Sequence, residues 1–379
     1  MSASCDLCKA SSLEQVYAAR NSGGKRTVWL CTYCGLLQSL PRSRKRVETP
    51  PASHRKRLRA DTTLATLKPF LLKNKPLRVL DVGAGHGAFA LELKGAHPKA
   101  NIIGIEPDAR AVGAWAGKPG FTWLNARVED TRLEAEGFDL IHSCHTLQHL
   151  KSAREALLAH RSALAPGGYL FLEVPNIAML SARDIVDEFF RDEHLYHFSA
   201  RTLSRLLISC GFRTIAIANP RDAANITVVA VNGHATASEI PSDPHEVEAA
   251  TALISAYHAV RLNNLAALAH VARAIDAMAP RKVAVWGAGR LLNNLIANGG
   301  LRPQSLTAII DKHVAHFGTQ AHGIRVSLPK DLARINPDVV VVMSRSLSND
   351  IRDEAQTHVP GCEVVAYADL LAKAEAHAA

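Results

Sequence analysis

The residues best suited to bind a ligand form a glycine-rich turn that is followed, one strand later, by an acid. Residues 78–106 contain an apolar run, glycines at Gly83, Gly85 and Gly87, a helical pattern, and a second apolar run that ends near Glu106. Glycine permits a tight turn and leaves no side chain in the path of a ligand. In a βαβ unit, an acid about 20 residues further on can accept both hydroxyls of a ribose. The stretch therefore predicts a nucleoside-binding site.

The residue before the turn narrows the class of nucleoside. Asp81 lies two positions before Gly83, and V-L-D-V-G-A-G-H-G resembles the first motif of class I S-adenosylmethionine-dependent methyltransferases. The resemblance implies that Asp81 lies near the cationic methionine end of the cofactor, and it adds Ala84 and Pro107 as cofactor contacts. A nicotinamide site and a sheet that binds no ligand are the alternatives, because other enzymes use similar turns.

Later strands of the same core are expected to complete this pocket. In the family, the segment at 123–130 lies along the adenine, which implies that Val128 and Glu129 contact the cofactor; Arg127 stands at the position of the usual acid, so Glu129 or Asp130 is its substitute. Residues 138–143 and 169–174 are predicted to be buried strands. Ligands of open α/β sheets bind beyond the carboxyl ends of the strands. Four side chains at or after these ends are therefore expected to point toward the cofactor: His145, His149, Glu173 and Asn176.

Four cysteines near the N-terminus have the spacing of a metal site. Cys5, Cys8, Cys31 and Cys34 form C-x2-C-x22-C-x2-C, and two such pairs can enclose one tetrahedral zinc ion. Four thiolates leave no position for water, so the predicted role is structural, and the ion would stabilise a module too short to bury much core. Two redox-active pairs or unligated thiols are the alternatives.

A cluster of polar residues between aromatic residues marks an insert at 175–205. Arg191, Glu193, His194 and Tyr196 lie between Phe190 and Phe198. This pattern is typical of a reactive pocket with apolar walls. The segment resembles the E-H-L-x-Y-F-S stretch of C-methyltransferases that act on nucleotide-linked 4-keto-deoxysugars.

In that family the histidine removes the proton from the carbon that is methylated. The resemblance implies that His194 is the general base, that Glu193 supports it, and that His149 matches a second family histidine. Arg191 stands where the family has a tyrosine. A helix-capping role for the segment is the alternative, and a base of this kind would also serve an oxygen or nitrogen acceptor.

A second α/β pattern begins near Lys282 with V-A-V-W-G-A-G-R. The third glycine of a dinucleotide motif is missing, because its position holds Leu292, although a nicotinamide site stays an alternative. The order of elements resembles the C-terminal domain of the same sugar methyltransferases, which helps to hold the sugar nucleotide. Together with the insert, the resemblance gives six predicted substrate contacts: Asn176, Arg191, Tyr196, Arg290, Asp311 and Arg345.

The predicted fold class is α/β, with a Rossmann-like class I methyltransferase core, a small N-terminal zinc module and a second C-terminal Rossmann-like domain. The expected parts are a zinc-binding module at 1–40, a basic linker and helix at 41–75, the core at 76–239, a helical connector at 240–278, and a substrate-binding domain at 279–379. Length of 379 residues and 47% hydrophobic content are sufficient for more than one core.

The charge is concentrated in one segment. The net charge is +9, and residues 42–59 contain eight Lys or Arg against one acid. This segment is interpreted either as a solvated face near the active-site mouth or as a site that attracts a polyanion or nucleotide diphosphate. No segment has 18 uninterrupted apolar residues and the N-terminus lacks a signal-peptide pattern, so we expect a cytoplasmic protein without a membrane span.

The expected partner is a small molecule, a nucleotide sugar, rather than nucleic acid. An RNA methyltransferase is the first rival, because a four-cysteine ribbon precedes the core of some such enzymes and the basic segment supports it. Against it, the sequence has no interleaved aromatic patch for stacking bases and no N-P-P-Y-like motif. A binding or scaffold protein is the second rival, which is disfavoured by four intact candidate residues: Asp81, Glu106, Glu193 and His194.

Overall fold

The computed structural model describes ten stretches of the chain, which are residues 4–18, 27–42, 54–71, 76–112, 117–181, 188–218, 224–233, 239–312, 320–343 and 348–376. Within these stretches the chain contains three sheets of four, seven and six strands. No helix in them is long and apolar enough to cross a membrane. The predicted Arg345 and most of the basic segment, residues 43–53, lie outside the described residues.

The four cysteines lie in or beside the turns of a small antiparallel sheet. Its order is β1-β2-β3-β9, with bounds β1 Leu13–Ala18, β2 Thr27–Cys31, β3 Leu37–Leu40 and β9 Tyr196–His197. Each C-x-x-C pair forms a tight turn, in which the N–H of Lys9 donates to the carbonyl of Cys5 and the N–H of Gly35 to that of Cys31. The fourth strand comes from a segment much later in the chain, within the predicted insert.

The central sheet has seven strands in the order β10-β11-β8-β7-β4-β5-β6. The bounds are β4 Arg78–Val82, β5 Asn101–Ile105, β6 Phe121–Leu124, β7 Phe138–Cys144, β8 Leu164–Pro175, β10 Phe212–Ala218 and β11 Asn225–Asn232. Strands β4 to β8 are mutually parallel, and β11 runs antiparallel to both β8 and β10. Strand order changes direction between β4 and β7, and open sheets bind ligands at such a point.

Helices cover both faces of the central sheet. They are α1 His54–Leu67, α2 Ala88–Ala96, α3 Ala109–Val112, α4 Ala153–Ala163 and α5 Ala200–Ser209. Alternate residues of a strand contribute side chains to two separate hydrophobic cores. In β4, Leu80 and Val82 pack on one face of the sheet, while Val79 packs on the other. The predicted Rossmann-like core is therefore confirmed.

A long helix, α6 Pro244–Asp276, follows the central sheet. The chain divides into two compact units, and this helix contains the division between Ser255 and Ala256. The first unit comprises residues 1–181 and 190–255, and the second comprises 182–189 and 256–379.

The second unit contains the six-stranded sheet, in the order β14-β15-β13-β12-β16-β17. The strands are β12 Val283–Trp286, β13 Ala308–Ile310, β14 Gln320–Ala321, β15 Ile324–Ser327, β16 Val339–Val342 and β17 Glu363–Ala366. The helices are α7 Arg290–Ala297, α8 Leu332–Ile335, α9 Ser348–His358 and α10 Tyr367–Ala376. Five strands are parallel and only β14 is antiparallel, which confirms the predicted second α/β domain.

Candidate active site

The glycine turn at the end of β4 is held by the neighbouring strand end. The N–H groups of Gly83 and Ala84 both donate to the carbonyl of Ile105, at 2.9 and 3.2 Å. Gly83 has φ of +72°, and a Cβ there would lie 2.0 Å from Oγ1 of Thr146. Glycine is thus required at Gly83 by both conformation and space. The role of Thr146 could not be read from the sequence.

Glu106 is buried at the end of β5 and its carboxylate organises the turn. Oε2 accepts the N–H of Gly85 at 2.8 Å, and Oε1 accepts the N–H of Asp108 at 2.9 Å. Each carboxylate oxygen has a second lone pair, which can accept a ribose hydroxyl. Pro107, another predicted contact, lies in the chain between Glu106 and Asp108, which this hydrogen bond joins. The predicted location of Glu106 beside the turn thus agrees with the structure.

Asp81 is buried and only half of its carboxylate is satisfied. Oδ1 accepts Nδ1–H of His142 at 2.7 Å, whereas Oδ2 has no hydrogen-bond partner among the described residues. A buried carboxylate oxygen without a partner is costly unless a ligand supplies one. The ammonium and sulfonium of S-adenosylmethionine are cationic, so the half-satisfied acid fits that cofactor.

His142 is a site residue that sequence reasoning missed. The sequence predicted only that it belongs to a buried strand. Its ring lies between Phe89, at 3.8 Å between centroids, and Phe171, at 5.3 Å. Because parallel pairing sets Asp81 opposite His142, the imidazole is fixed where it can orient the acid. An ionisable residue within an apolar strand was the only available signal.

The predicted adenine segment forms a short 3₁₀ turn over Val128–Asp130. Val128 is buried, and Oε1 of Glu129 accepts the N–H of Lys151 at 2.6 Å. Oε2 of Glu129 is buried without a partner in the part of the chain that the structure describes. Of the two acids that the sequence offered as substitutes for the acid missing at Arg127, Glu129 therefore has the acceptor atom available for an exocyclic amine.

His145 points to a carboxylate in this structure. Its Nε2 lies 3.1 Å from Oε1 of Glu173, which also forms an ion pair with Nε of Arg59 at 3.0 Å. Burial opposes ionisation of Glu173, but the hydrogen bond and charge of His145, with the charge of Arg59, outweigh it and lower the pKa of Glu173 to about 2. The cofactor contact of His145 stays a prediction.

His149 and His194 lie side by side, with ring centroids 4.9 Å apart and planes at 71°. Nδ1–H of His149 donates to the backbone carbonyl of Glu193 at 2.9 Å, which leaves Nε2 as an acceptor. Burial lowers the pKa of His149. Burial, and then the unfavourable placing of a second positive charge beside His149 and Arg191, lower the pKa of His194 well below its ordinary value, although the ring keeps partial access to solvent. Both rings are therefore neutral at pH 7 and able to accept a proton.

Two residues of the insert do not have the geometry that the sequence suggested. The Glu193 side chain is exposed and, among the described residues, makes no hydrogen bond to His194; its backbone carbonyl holds His149 instead. Tyr196 is 1% exposed, donates its hydroxyl to the carbonyl of Lys151 at 2.8 Å, and accepts from Nη1 of Arg42 at 3.2 Å. Because the Tyr196 hydroxyl is buried and already donates one hydrogen bond and accepts another, a packing role is favoured over substrate contact.

The other predicted substrate contacts that the structure describes belong to both units. Oδ1 of Asn176 accepts the N–H of Ala178 at 3.0 Å and so caps a turn, while Arg191 is exposed and its carbonyl accepts the N–H of His194. In the second unit, Oδ2 of Asp311 accepts the N–H of Ala288 at 2.9 Å, as Glu106 does for its own glycine turn, and Arg290 is exposed at the start of α7.

The insert is built onto the cysteine module by strand pairing. In the antiparallel pair β3–β9, Leu37 lies opposite His197 and Gln38 opposite Tyr196. The N–H of Ser39 donates to the carbonyl of Leu195 at 2.9 Å, one residue after His194. The module therefore fixes the backbone of residues 195–197, which directly follow His194.

The four cysteines converge within that module. Sγ of Cys5 lies 3.6 Å from Sγ of Cys34, the same distance separates Cys8 from Cys31, and all four sulfurs lie within 4.8 Å of one another. A tetrahedral zinc with bonds of about 2.3 Å separates its sulfurs by about 3.8 Å. The predicted four-cysteine cluster exists, and its donor set fits that ion.

Comparison with known proteins agrees with the fold. Residues 52–217 match a family model described as "Methyltransferase domain", and residues 279–360 match one described as "C2185-like, N-terminal". A tRNA U34 carboxymethyltransferase from Methylococcus capsulatus is 34% identical over 145 residues, which are 36% of this chain and 44% of that protein. Methyltransferase str2 from Strobilurus tenacellus is 32% identical over 26% of this chain and 36% of that protein.

Among solved structures, an S-adenosylmethionine-dependent methyltransferase from Mesorhizobium loti is 19% identical, with 45% of this chain and 99% of that chain covered and a TM-score of 0.38. The family match assigns a methyltransferase domain to residues 52–217, which agrees with the predicted class of enzyme. The chain spans less than half the length of these two curated relatives, and the similarity to them lies in only part of it.

Proposed function

We propose that this protein transfers a methyl group from S-adenosylmethionine to a carbon of a nucleotide-linked keto sugar, with His194 as the general base. The observation that carries the proposal is the neutral pair of His149 and His194 beside the carboxyl ends of the central sheet. Methyl transfer to carbon requires removal of a proton next to a carbonyl, and a neutral imidazole is suited to accept it.

The cofactor would supply an electrophilic methyl group on a sulfonium. Glu106 would accept its ribose hydroxyls, Asp81 would face the methionine end, and Glu129 would accept the exocyclic amine through the oxygen that has no partner. Gly83, Gly85 and Gly87 all have positive φ, which gives the turn its tight path beside the proposed cofactor site.

The proton would move to the imidazole of His194. His149, fixed by the carbonyl of Glu193, contacts the His194 ring by its edge and restricts its orientation. Arg191 is exposed two residues before Glu193 and its guanidinium would offset charge on an enolate or bind a phosphate. In the second unit, Arg290 and Asp311 border a glycine turn and would contact the nucleotide.

The four cysteines would hold one zinc ion with a structural role. Their sulfurs have nearly the spacing of a tetrahedral shell, and a closed shell of thiolates leaves no position for chemistry.

A second candidate is an RNA acceptor, which is favoured by the printed name of the relative from Methylococcus capsulatus and by the basic segment at 42–59. The matched part of that relative is 145 residues long, which is too little of either protein to transfer an acceptor.

One experiment separates the two acceptors. Purified protein with S-adenosylhomocysteine is screened by thermal shift against nucleoside-diphosphate sugars and against bulk tRNA. Methyl transfer from labelled cofactor is then measured on whichever class binds, and substrate hydrogen exchange is followed in deuterium oxide. Stabilisation and exchange with a nucleotide sugar support the proposal. Labelling of tRNA alone would overturn it in favour of the second candidate.

A further inference from the structure

A second group of metal-type ligands lies apart from the four cysteines, at the carboxyl ends of β7 and β8. Cys144, His145 and Glu173 each offer one ligand atom, and these atoms lie within 4.8 Å of one another. Oε1 of Glu173 is 3.4 Å from Sγ of Cys144 and 3.1 Å from Nε2 of His145. Ligand atoms around one tetrahedral ion with bonds of about 2.0 to 2.3 Å lie about 3.3 to 3.8 Å apart. The two distances from Glu173 are already close to this spacing.

The backbone is bent so that two consecutive side chains reach the same carboxylate. Successive residues of an extended strand point to opposite faces, so Cys144 and His145 would diverge if β7 simply continued. His145 instead has φ of +52°, a left-handed conformation that is uncommon for a residue with a side chain. Its N–H is held by the carbonyl of Glu173 at 2.8 Å. Such conformations cluster at functional sites.

Glu173 also has the outer hydrogen bonds that are common for a metal-binding carboxylate. Oγ1 of Thr227 donates to Oε2 at 3.0 Å, and Nε of Arg59 forms an ion pair with Oε1 at 3.0 Å. A carboxylate oxygen has two lone pairs, so Oε1 can bind an ion and keep Arg59. A thiolate and a carboxylate together neutralise a divalent ion, which leaves Arg59 beside a neutral ligand shell.

We propose that Cys144, His145 and Glu173 bind a divalent transition-metal ion of the zinc type. Sulfur and imidazole donors select against Mg²⁺ and Ca²⁺, which prefer oxygen ligands. Three protein ligands leave one position open for water or for an oxygen of the acceptor, which distinguishes this site from the closed four-cysteine cluster.

The test counts metal in the full-length protein. Wild type, Cys144→Ser, His145→Gln and the control Cys210→Ser are purified from zinc-supplemented cells, passed over a weak chelator, and analysed for zinc by mass spectrometry. Cys210 is a buried thiol at the end of α5, outside both cysteine-containing clusters. Circular dichroism and thermal unfolding of each variant verify that it is folded.

We expect Cys144→Ser and His145→Gln each to contain about one zinc ion less per chain than wild type, and Cys210→Ser to match wild type. Equal zinc in wild type and in either of the two ligand variants would overturn the site. Because metal is counted without turnover, the result does not depend on the acceptor proposed above. Cys8→Ser reports separately on the four-cysteine cluster.

Discussion

At the scale of single residues, the proposed chemistry depends on the His194 imidazole. Burial and neighbouring cationic groups disfavour its protonated form, and no carboxylate among the described residues bonds to it. The ring is consequently held as a weak but available base. Orientation comes from the edge contact with His149, which is itself fixed by a backbone carbonyl.

Replacement of His194 by asparagine should lower kcat by about 10² to 10⁴ and leave S-adenosylhomocysteine affinity nearly unchanged, because general-base catalysis contributes that range. Turnover and calorimetry measure the two effects. His245→Asn is the matched control, since that histidine is exposed at the start of α6. Normal turnover in His194→Asn would eliminate the residue as the base.

The proposed role of His194 as a base predicts that kcat/KM falls at acidic pH. His194 accepts a proton only when neutral, and its pKa is lowered from the ordinary value of 6.5. We expect kcat/KM to stay constant through neutral pH and to fall with acid only below pH 6.5. An inflection above pH 6.5 that vanishes in His194→Asn would contradict the lowered pKa.

Glu106 organises the glycine turn and is expected to bind the cofactor ribose. Glu106→Ala removes charge-assisted hydrogen bonds worth about 1.5 to 3 kcal/mol each, so affinity for S-adenosylhomocysteine should fall at least about tenfold. Titration calorimetry measures the change. Glu155→Ala, an exposed acid on α4, should bind as wild type does. Unchanged affinity in Glu106→Ala would remove the residue from the site.

At the scale of elements, the cysteine module packs against the segment that carries His194, the proposed base. Strand β3 pairs with β9, and Oγ of Ser39 lies 2.9 Å from Nε2 of His197. Asp6 adds a second connection, since its carboxylate accepts the Ser152 hydroxyl at 2.9 Å and the Arg154 N–H at 3.0 Å. Disorder in the module would therefore spread to the insert.

Cys8→Ser should release the metal and lower kcat by about a hundredfold, because a base displaced by about 1 Å loses that much. Hydrogen–deuterium exchange of residues 195–197 should rise, while cofactor affinity stays close to wild type. Cys362→Ser, a buried thiol in the second unit, is the control. If zinc leaves Cys8→Ser but exchange and turnover do not change, the module does not support the insert.

At the scale of the whole molecule, acid stability depends on buried histidines. His160 is fully buried on α4, and neither ring nitrogen has a hydrogen-bond partner among the described residues. Burial lowers its pKa from 6.5 to about 4. Below pH 6.5 the unfolded chain binds a proton at this ring that the folded state does not bind. The contribution of the neutral ring to the free energy of unfolding is therefore complete above pH 6.5 and is lost as the pH falls toward 4.

Replacement of His160 by leucine should remove that dependence. Between about pH 7 and about pH 4.5 the free energy of unfolding of wild type should fall by about 2 to 3 kcal/mol more than that of His160→Leu. Urea unfolding at the two pH values measures the difference. His245→Leu should follow wild type, and an equal loss in His160→Leu would mean that the ring binds its proton in the fold as readily as in the unfolded chain.

The sequence by itself determined the features that depend on short-range spacing. Glycines at Gly83, Gly85 and Gly87 between two apolar runs predict a βαβ turn, because turn conformation and strand periodicity are local properties. The two C-x-x-C pairs predict their cluster for the same reason, and the structure brings their sulfurs together. The Rossmann-like core and the second α/β domain were predictable at this level.

Only the tertiary structure decided which atoms of those residues meet. Leu37 and His197 pair although they are far apart in the chain, and nothing in either segment specifies that partner. The same holds for Asp81 with His142, where register fixes the contact. Glu193 and Tyr196 are the opposite case, because their residue types suggested a catalytic or substrate-binding role that the fold does not favour. The Glu193 side chain is exposed to solvent, and the Tyr196 side chain is buried. Residue type and periodicity are set by the chain locally, whereas the direction of a side chain depends on packing between distant segments.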